Sequence, residues 1–261
     1  MKKFILATTV SLMTVSSLFV PNMLVNAKEE RSDKNTLIKE KMLNSIQFYE
    51  DVRGSFKHVT PNRDIIVEFE VQEGNKPYSH VKVKDKGGLI KETISDETRL
   101  LSLYTKEKTF KETEKAPIKP EKVKMLTNAN SNEMKDGKPI KKFRPDPATP
   151  SDAQIVTYPQ QIAYWLDDNE NNYKIVDNES FLDREATVIE GTLLPGLATK
   201  FKATTFKMWV DTETGVLLKL VTIDDDGNET STIEVEKIEF NKGIEKKLDT
   251  QDTRGFQNQK G

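Results

Sequence analysis

The chain has 261 residues, 40 of them Lys or Arg and 42 Asp or Glu, for a formal net charge of −2. Cysteine is absent, which excludes disulfides, zinc–thiolate sites, iron–sulfur clusters, thiol catalysis and a lipidated N-terminal cysteine. The balance of charge excludes a chain-wide basic footprint for nucleic acid, and two histidines, His58 and His80, leave little for metal or triad chemistry.

Met1-Lys2-Lys3 is a basic start, and Phe4 to Val20 carries no charge. Val25 and Ala27 then supply the small side chains that a signal peptidase accepts at −3 and −1, and charge begins at Lys28. We expect a signal peptide over residues 1–27, cleaved near Ala27, and hence a secreted, extracytoplasmic protein. A retained anchor is the competing reading, but the run of 17 residues is short for a spanning helix, which needs about 20. The mature chain would hold 234 residues with a net charge of −4. It has no GxxxxGK[ST] or GxGxxG loop to cradle a phosphate.

Asp33 can cap a helix whose apolar positions are Leu37, Ile38, Met42, Ile46, Tyr49 and Val52, with Gly54 as its end. From Ser55 the period changes to two. Ile65, Val67, Phe69 and Val71, then Val81 and Val83, then residues 90–94, 99–105 and 108–112 read as strands joined by Gly74–Pro77 and Lys86–Gly88 turns. Residues 113–152 hold six prolines in a Lys- and Asn-rich stretch and read as a mobile basic insertion between two halves of one sheet. Pro159 to Asp167 is a short helix candidate, ended by Asp167-Asp168-Asn169-Glu170. Strands resume at 173–176, 184–194, 203–210, 216–223 and 230–240. In the last, the apolar parity slips between Val235 and Ile238, which predicts a β-bulge near Glu236-Lys237. Residues 247–261 read as a polar tail.

Tyr173-Lys174-Ile175-Val176, Phe181 to Ile189, and Met208-Trp209-Val210-Asp211-Thr212-Glu213-Thr214-Gly215 followed by Val216 to Lys219 resemble the LolA/RseB superfamily. The shared pattern is a strand ending in aromatic-x-Asp, a turn with Glu/Asp-x-Gly, an apolar strand, an acidic Gly turn and a strand ending near Phe240. Val52-Arg53-Gly54-Ser55-Phe56 is similar too, so the resemblance runs in order over residues 37–241. It implies a single α+β domain over 28–246, of the kind secreted by Gram-positive bacteria. In it a curved antiparallel sheet, a half-barrel, wraps a few helices over an apolar cavity. It also implies lipid or lipoprotein acyl chains as ligand, and as alternative partner an envelope regulator. Strand parity combined with the resemblance nominates Val67, Phe69, Val81, Val83, Leu101, Leu103, Trp165, Phe206 and Met208 as cavity lining.

No catalytic residue, metal site or cofactor is expected. Aligning Gly227 as sixth residue of a calcium loop puts Thr222 first and Ile233 twelfth, neither of them a carboxylate, so Asp224 to Asn228 reads as a hairpin turn. His58 and His80 fall on the lysine-bearing parity of their strands, the wet face, with no acid at ligand spacing. Paired carboxylates such as Asp167-Asp168 lack a glycosidase's context, and a wall-directed enzyme is the weakest alternative. Residues 106–124 carry net +3 and 135–144 net +4, against −6 for 167–190. One end could therefore face an anionic membrane or wall surface.

Overall fold

A computed structural model of the chain describes residues 36–116, 124–166, 172–244 and 253–259. The expected signal at 1–27, the cap at Asp33 and the acidic helix end at 167–170 lie outside them. Fourteen strands are described: β1 (Asp51–Thr60), β2 (Arg63–Gln72), β3 (Tyr78–Asp85), β4 (Gly88–Ser95), β5 (Arg99–Tyr104), β6 (Thr109–Glu114), β7 (Asn132–Lys135), β8 (Lys138–Lys141), β9 (Tyr173–Phe181), β10 (Arg184–Thr192), β11 (Thr205–Asp211), β12 (Leu217–Ile223), β13 (Glu229–Phe240) and β14 (Gln257–Asn258). The helices are α1 over 36–43, α2 (Gln154–Thr157), α3 (Gln160–Ala163) and α4 (Pro195–Phe201). Strands β7 and β8 form a separate hairpin, and the other twelve make one sheet in the order β14-β6-β5-β4-β3-β2-β1-β13-β12-β11-β10-β9. The fold class is α+β: a curved, unclosed and mostly antiparallel sheet with a few helices. The exception to the antiparallel pattern is β14, where the polar tail lies parallel to Thr109 and Phe110 of β6.

Two meanders, β1 to β6 and β9 to β13, meet where β1 pairs with β13. Along that seam Ser55 opposes Lys237 and Phe56 opposes Val235, so Glu236 is the extra residue of a bulge where the parity slip predicted one. Gly54 lies in β1 beside it and does not end a helix. A Cβ there would stand 2.1 Å from the Lys237 carbonyl oxygen and 3.1 Å from the Phe69 ring. Another close approach is at Gly215, whose φ of +75° turns the chain beneath α1; a Cβ would meet the Lys41 carbonyl oxygen at 2.6 Å. Asp224 closes the β12–β13 turn by accepting from the Asp226 and Asn228 N–H groups at 3.0 and 2.8 Å.

Helix α1 stops well short of the expected Gly54 because of Asn44. Its Nδ2 donates to the Glu40 and Leu126 carbonyls at 2.6 and 2.7 Å, and its Oδ1 accepts from the Leu126 N–H at 2.8 Å. A side chain that competes in this way for backbone groups is a poor helix interior and a good stop. Ile46 and Tyr49 keep their apolar role in the turn that follows, and Val52 does so in β1.

Part of the described 113–152 stretch packs against the sheet, whereas the β7–β8 hairpin within it is exposed. Paired residues of antiparallel strands share a face, so the concave rows continue from Val67–Val83 and Phe69–Val81 into Lys91, Thr93 and Ser102. That end of the concave face is polar, and buried polar groups need partners. Backbone of the 113–152 stretch supplies them: Ser79 Oγ donates to the Ala148 carbonyl at 2.8 Å, and Lys115 Nζ bridges Ser95 Oγ and the Pro147 carbonyl at 2.6 and 2.8 Å. Leu126 and Ala148 join the main core. The short helix α4 was not anticipated; Pro195 starts it, Lys202 closes it in a left-handed conformation, and it sets the Phe201 ring 5.2 Å from Trp165.

A candidate ligand cleft between sheet and helices

Seven of the nine nominated lining residues, Val67, Phe69, Val81, Val83, Trp165, Phe206 and Met208, are buried in one core cluster, which also holds Ile38, Met42, Val156 and Ile162. Trp165 meets Phe206 edge-on at 5.6 Å. Phe69 and Phe206 each border a surface cleft, and none of the nine lines the cleft beside His58. Leu101 and Leu103 belong to the opposite face. They pair with Ile94 and Glu92, on the rows of His80 and Lys82. Three leucines in four residues (Leu100, Leu101, Leu103) erase the alternation from which a face is read.

The histidines also depart from expectation. His80 is on the convex face, but its Nε2 lies 2.6 Å from Glu92 Oε1, an acid twelve residues away brought alongside by β4. His58 pairs with Ile65 and Ile233 and so faces the concave side. Burial, with the neighbouring Arg63 charge, lowers its pKa.

His58 lines a cleft of about 440 Å³ between the β1–β2 turn and α2–α3. Its apolar walls include Phe143, Ile155 and Ile162. At the rim Asp152 pairs with Arg63 at 2.9 Å and Lys91 at 2.8 Å. Burial opposes the Asp152 charge, but hydrogen bonds from Lys91 and Arg63 outweigh it and hold the carboxyl below its ordinary range. Arg144, only 6% exposed, is fixed deeper in. Its N–H donates to Gln160 Oε1 at 2.8 Å, its carbonyl accepts from Gln160 Nε2 at 3.0 Å, and its Nη1 donates to Asn44 Oδ1 at 2.7 Å. Its Nε has no partner among the described residues, and neither has the Tyr158 hydroxyl beside it. Burial is the main cause that raises the Tyr158 pKa, so the phenol stays protonated. Burying a cation without a counter-charge costs several kcal/mol.

Two acids act on Tyr158 without lining the cleft. Burial raises the Glu73 pKa, and Asp146 adds to it. Burial likewise lifts Asp146 from 3.8 to about 6, against hydrogen bonds from the Thr149 and Ala148 N–H groups and the charge of Lys115. A carboxyl with a raised folded pKa contributes stability below its unfolded value and loses it as pH rises through the folded one. Stability should therefore fall between about pH 4 and 6. Asp146→Asn keeps an acceptor for Ala148 and Thr149 and cannot ionise. Urea titrations should find it more stable than wild type at pH 7 by about 1–3 kcal/mol, with a flatter profile from pH 4 to 6. An equal loss at every pH would show that ionisation of Asp146 is not the cause.

Arg144 and Tyr158 escaped the sequence analysis; the one cue is Phe143-Arg144-Pro145-Asp146-Pro147, a lone arginine among lysines, pinned by prolines.

Fold and cleft together define an open-sheet α+β protein with a mixed apolar and cationic recess at the sheet–helix junction. No protein-family model and no curated protein matches the chain. Among solved structures it is similar to MucB (TM-score 0.45, 13% identity, 81% of this chain and 59% of that one). It is also similar to the MucA/MucB complex of Pseudomonas aeruginosa (TM-score 0.42, 13% identity, 80% and 56%). A third is lipoprotein LppX of Mycobacterium tuberculosis (TM-score 0.41, 8% identity, 80% and 97%). The chain thus spans less than two thirds of the MucB chains, and the likeness in all three is one of overall fold.

Proposed function

We propose that the protein is an extracytoplasmic, non-enzymatic binding protein for an amphiphile, a lipid or a lipoprotein acyl chain, at the cell envelope. The observation that carries this is the cleft, where Phe143, Ile155 and Ile162 stand beside Arg144. Its volume of about 440 Å³ is within the usual range of small-molecule sites, about 300–1,000 Å³. Each methylene withdrawn from water is worth about 0.8 kcal/mol, so a recess and an anchoring charge suffice without catalysis. The seven inward residues belong to the core cluster that also holds Ile162, which lines the recess. No helix among the described residues is long and apolar enough to cross a membrane. Export rests on the expected signal at 1–27. Solvent extraction of the purified protein with mass spectrometry, and titration with a fluorescent fatty acid, test the reading. One acyl chain per protein is expected, and neither co-purification nor probe binding would sink it.

A second reading, docking on a membrane-bound regulator, is favoured by the β7–β8 hairpin. Met134 is 67% exposed, and Ile140 and Phe143 are exposed close by. Changing Met134 and Ile140 to Ser should abolish capture of a regulator from envelope extracts and leave the melting temperature unchanged; undiminished capture would rule the hairpin out.

A further inference from the structure

The two edges of the large sheet differ. Strand β9 is blunted by a bulge, with Val176 as the extra residue between the pairs Ile175–Ile189 and Asp177–Val188. The other edge, β6, is partly covered by the chain's own polar tail. The Gln257 N–H donates to the Lys108 carbonyl at 2.9 Å, the Gln259 N–H to the Phe110 carbonyl at 2.8 Å, and Gln259 Nε2 to Thr109 Oγ1 at 2.7 Å. Gln257 and Asn258 are exposed, and they oppose Thr109 and Phe110 alone. Because Phe110 bonds outward, alternation turns the N–H and C=O groups of Glu112 and Glu114 outward as well. No strand lies beside those two residues among the described residues. We propose that the β6 edge is a strand-addition site for an extended peptide segment of a partner, basic at alternating positions, that enters parallel to β6 in place of β14. This inference does not depend on the amphiphile reading.

The seated tail supplies direction and register. A segment that sets one residue opposite Phe110, as Asn258 is set, brings its next two residues on that face opposite Glu112 and Glu114. Both glutamates are exposed and lie on the convex rows of Leu101 and Arg99. Arg99 stands opposite Glu114, but its ion pairs go to Asp96 at 3.2 Å and to Glu112 at 3.4 Å. Glu114 has no ion pair among the described residues. Lys111, which would repel a basic segment, pairs with Ser102 and belongs to the concave face. The tail itself is a weak occupant. Its two backbone bonds, each worth about 1 kcal/mol net, must offset the ordering of the residues that make them. It yields to a segment that continues the ladder past Phe110, where backbone bonds give affinity and alternate side chains give selectivity.

Two full-length proteins test this, wild type and Gln257→Pro, which lacks the N–H that reaches Lys108. The probe is a fluorescein-labelled peptide, Gly-Phe-Gln-Asn-Gln-Lys-Thr-Lys, which repeats residues 255–259 and then places lysines opposite Glu112 and Glu114. Its counterpart ends Glu-Thr-Glu. By fluorescence anisotropy we expect Gln257→Pro to bind the basic peptide about 10-fold more tightly than wild type does, because the competitor in cis is lost. In that variant the basic peptide should bind about 10-fold more tightly than the acidic one. Adding Glu112→Gln and Glu114→Gln should bring this ratio to about 1. Hydrogen exchange should show new protection over residues 109–114. No binding to Gln257→Pro at millimolar peptide, or protection confined to another strand, overturns the site. Equal affinity for the two peptides overturns the basic partner, and equal affinity of the two proteins overturns displacement of the tail. A Gln257→Pro dimer in light scattering that the peptide does not dissociate would give the edge to a second copy and overturn the peptide partner.

Discussion

Gly54→Val is expected to cost the protein about 3 kcal/mol or more, enough to abolish folding in a marginally stable domain. The bulge at Glu236 brings the Lys237 carbonyl against β1, and the Phe69 ring fills the place a side chain would take on the concave side. Flexible side chains yield to an added methyl group, but this obstacle is backbone in the middle of the sheet, held by both neighbours of β1. Even Gly54→Ala places its carbon 2.1 Å from an oxygen. Urea midpoints by circular dichroism check the series; an alanine variant of wild-type stability would mean that the seam does not close in this way.

Asp211→Ala should cost about 3–5 kcal/mol, the range for breaking a buried pair from one side. Asp211 is 1% exposed and accepts from the Thr214 N–H and Thr214 Oγ1, both at 2.7 Å. It also accepts from Arg184 Nε and, at 3.1 Å, from Arg184 Nη2. Arg184 lies over the Phe240 ring at 4.4 Å and holds Glu213 at 3.0 Å. The aromatic-x-Asp hallmark therefore works as a clamp that joins β10, the β11–β12 turn and the end of β13. Asp211→Asn keeps the turn acceptor and should lose less. Combining Asp211→Ala with Arg184→Met should cost less than the sum of the two single changes, since both remove the same half-buried pair. Thermal unfolding of wild type, Asp211→Ala, Asp211→Asn, Arg184→Met and the double variant checks this, and strict additivity would count against the clamp.

Most of the sheet was legible in the sequence because alternation, turn residues and a parity slip are local. The bulge at Glu236 and the Asp224 turn are examples. What was not legible depends on partners far along the chain. Asn44 ends α1 through Leu126 and Arg144. The concave polar rows make sense only beside the carbonyls of residues 147 and 148. On β5, consecutive leucines hide the face, so Leu101 and Leu103 were placed on the wrong side. His58 sits on the concave face in the row of Phe56, whereas its sequence neighbour Lys57 is on the other face. The cleft joins residues from His58 to Ile162, and no spacing rule connects them.

The seam between β1 and β13 has a consequence for biosynthesis. Val52 waits for Phe240 and Val59 for Thr232, so a nascent chain leaving the ribosome cannot zip its midline until nearly its last strand has emerged. Each meander can ripple into shape early from near neighbours, whereas the long-range closure is slow. The export proposed above would be served by that delay, because a chain passes a translocation pore before it folds.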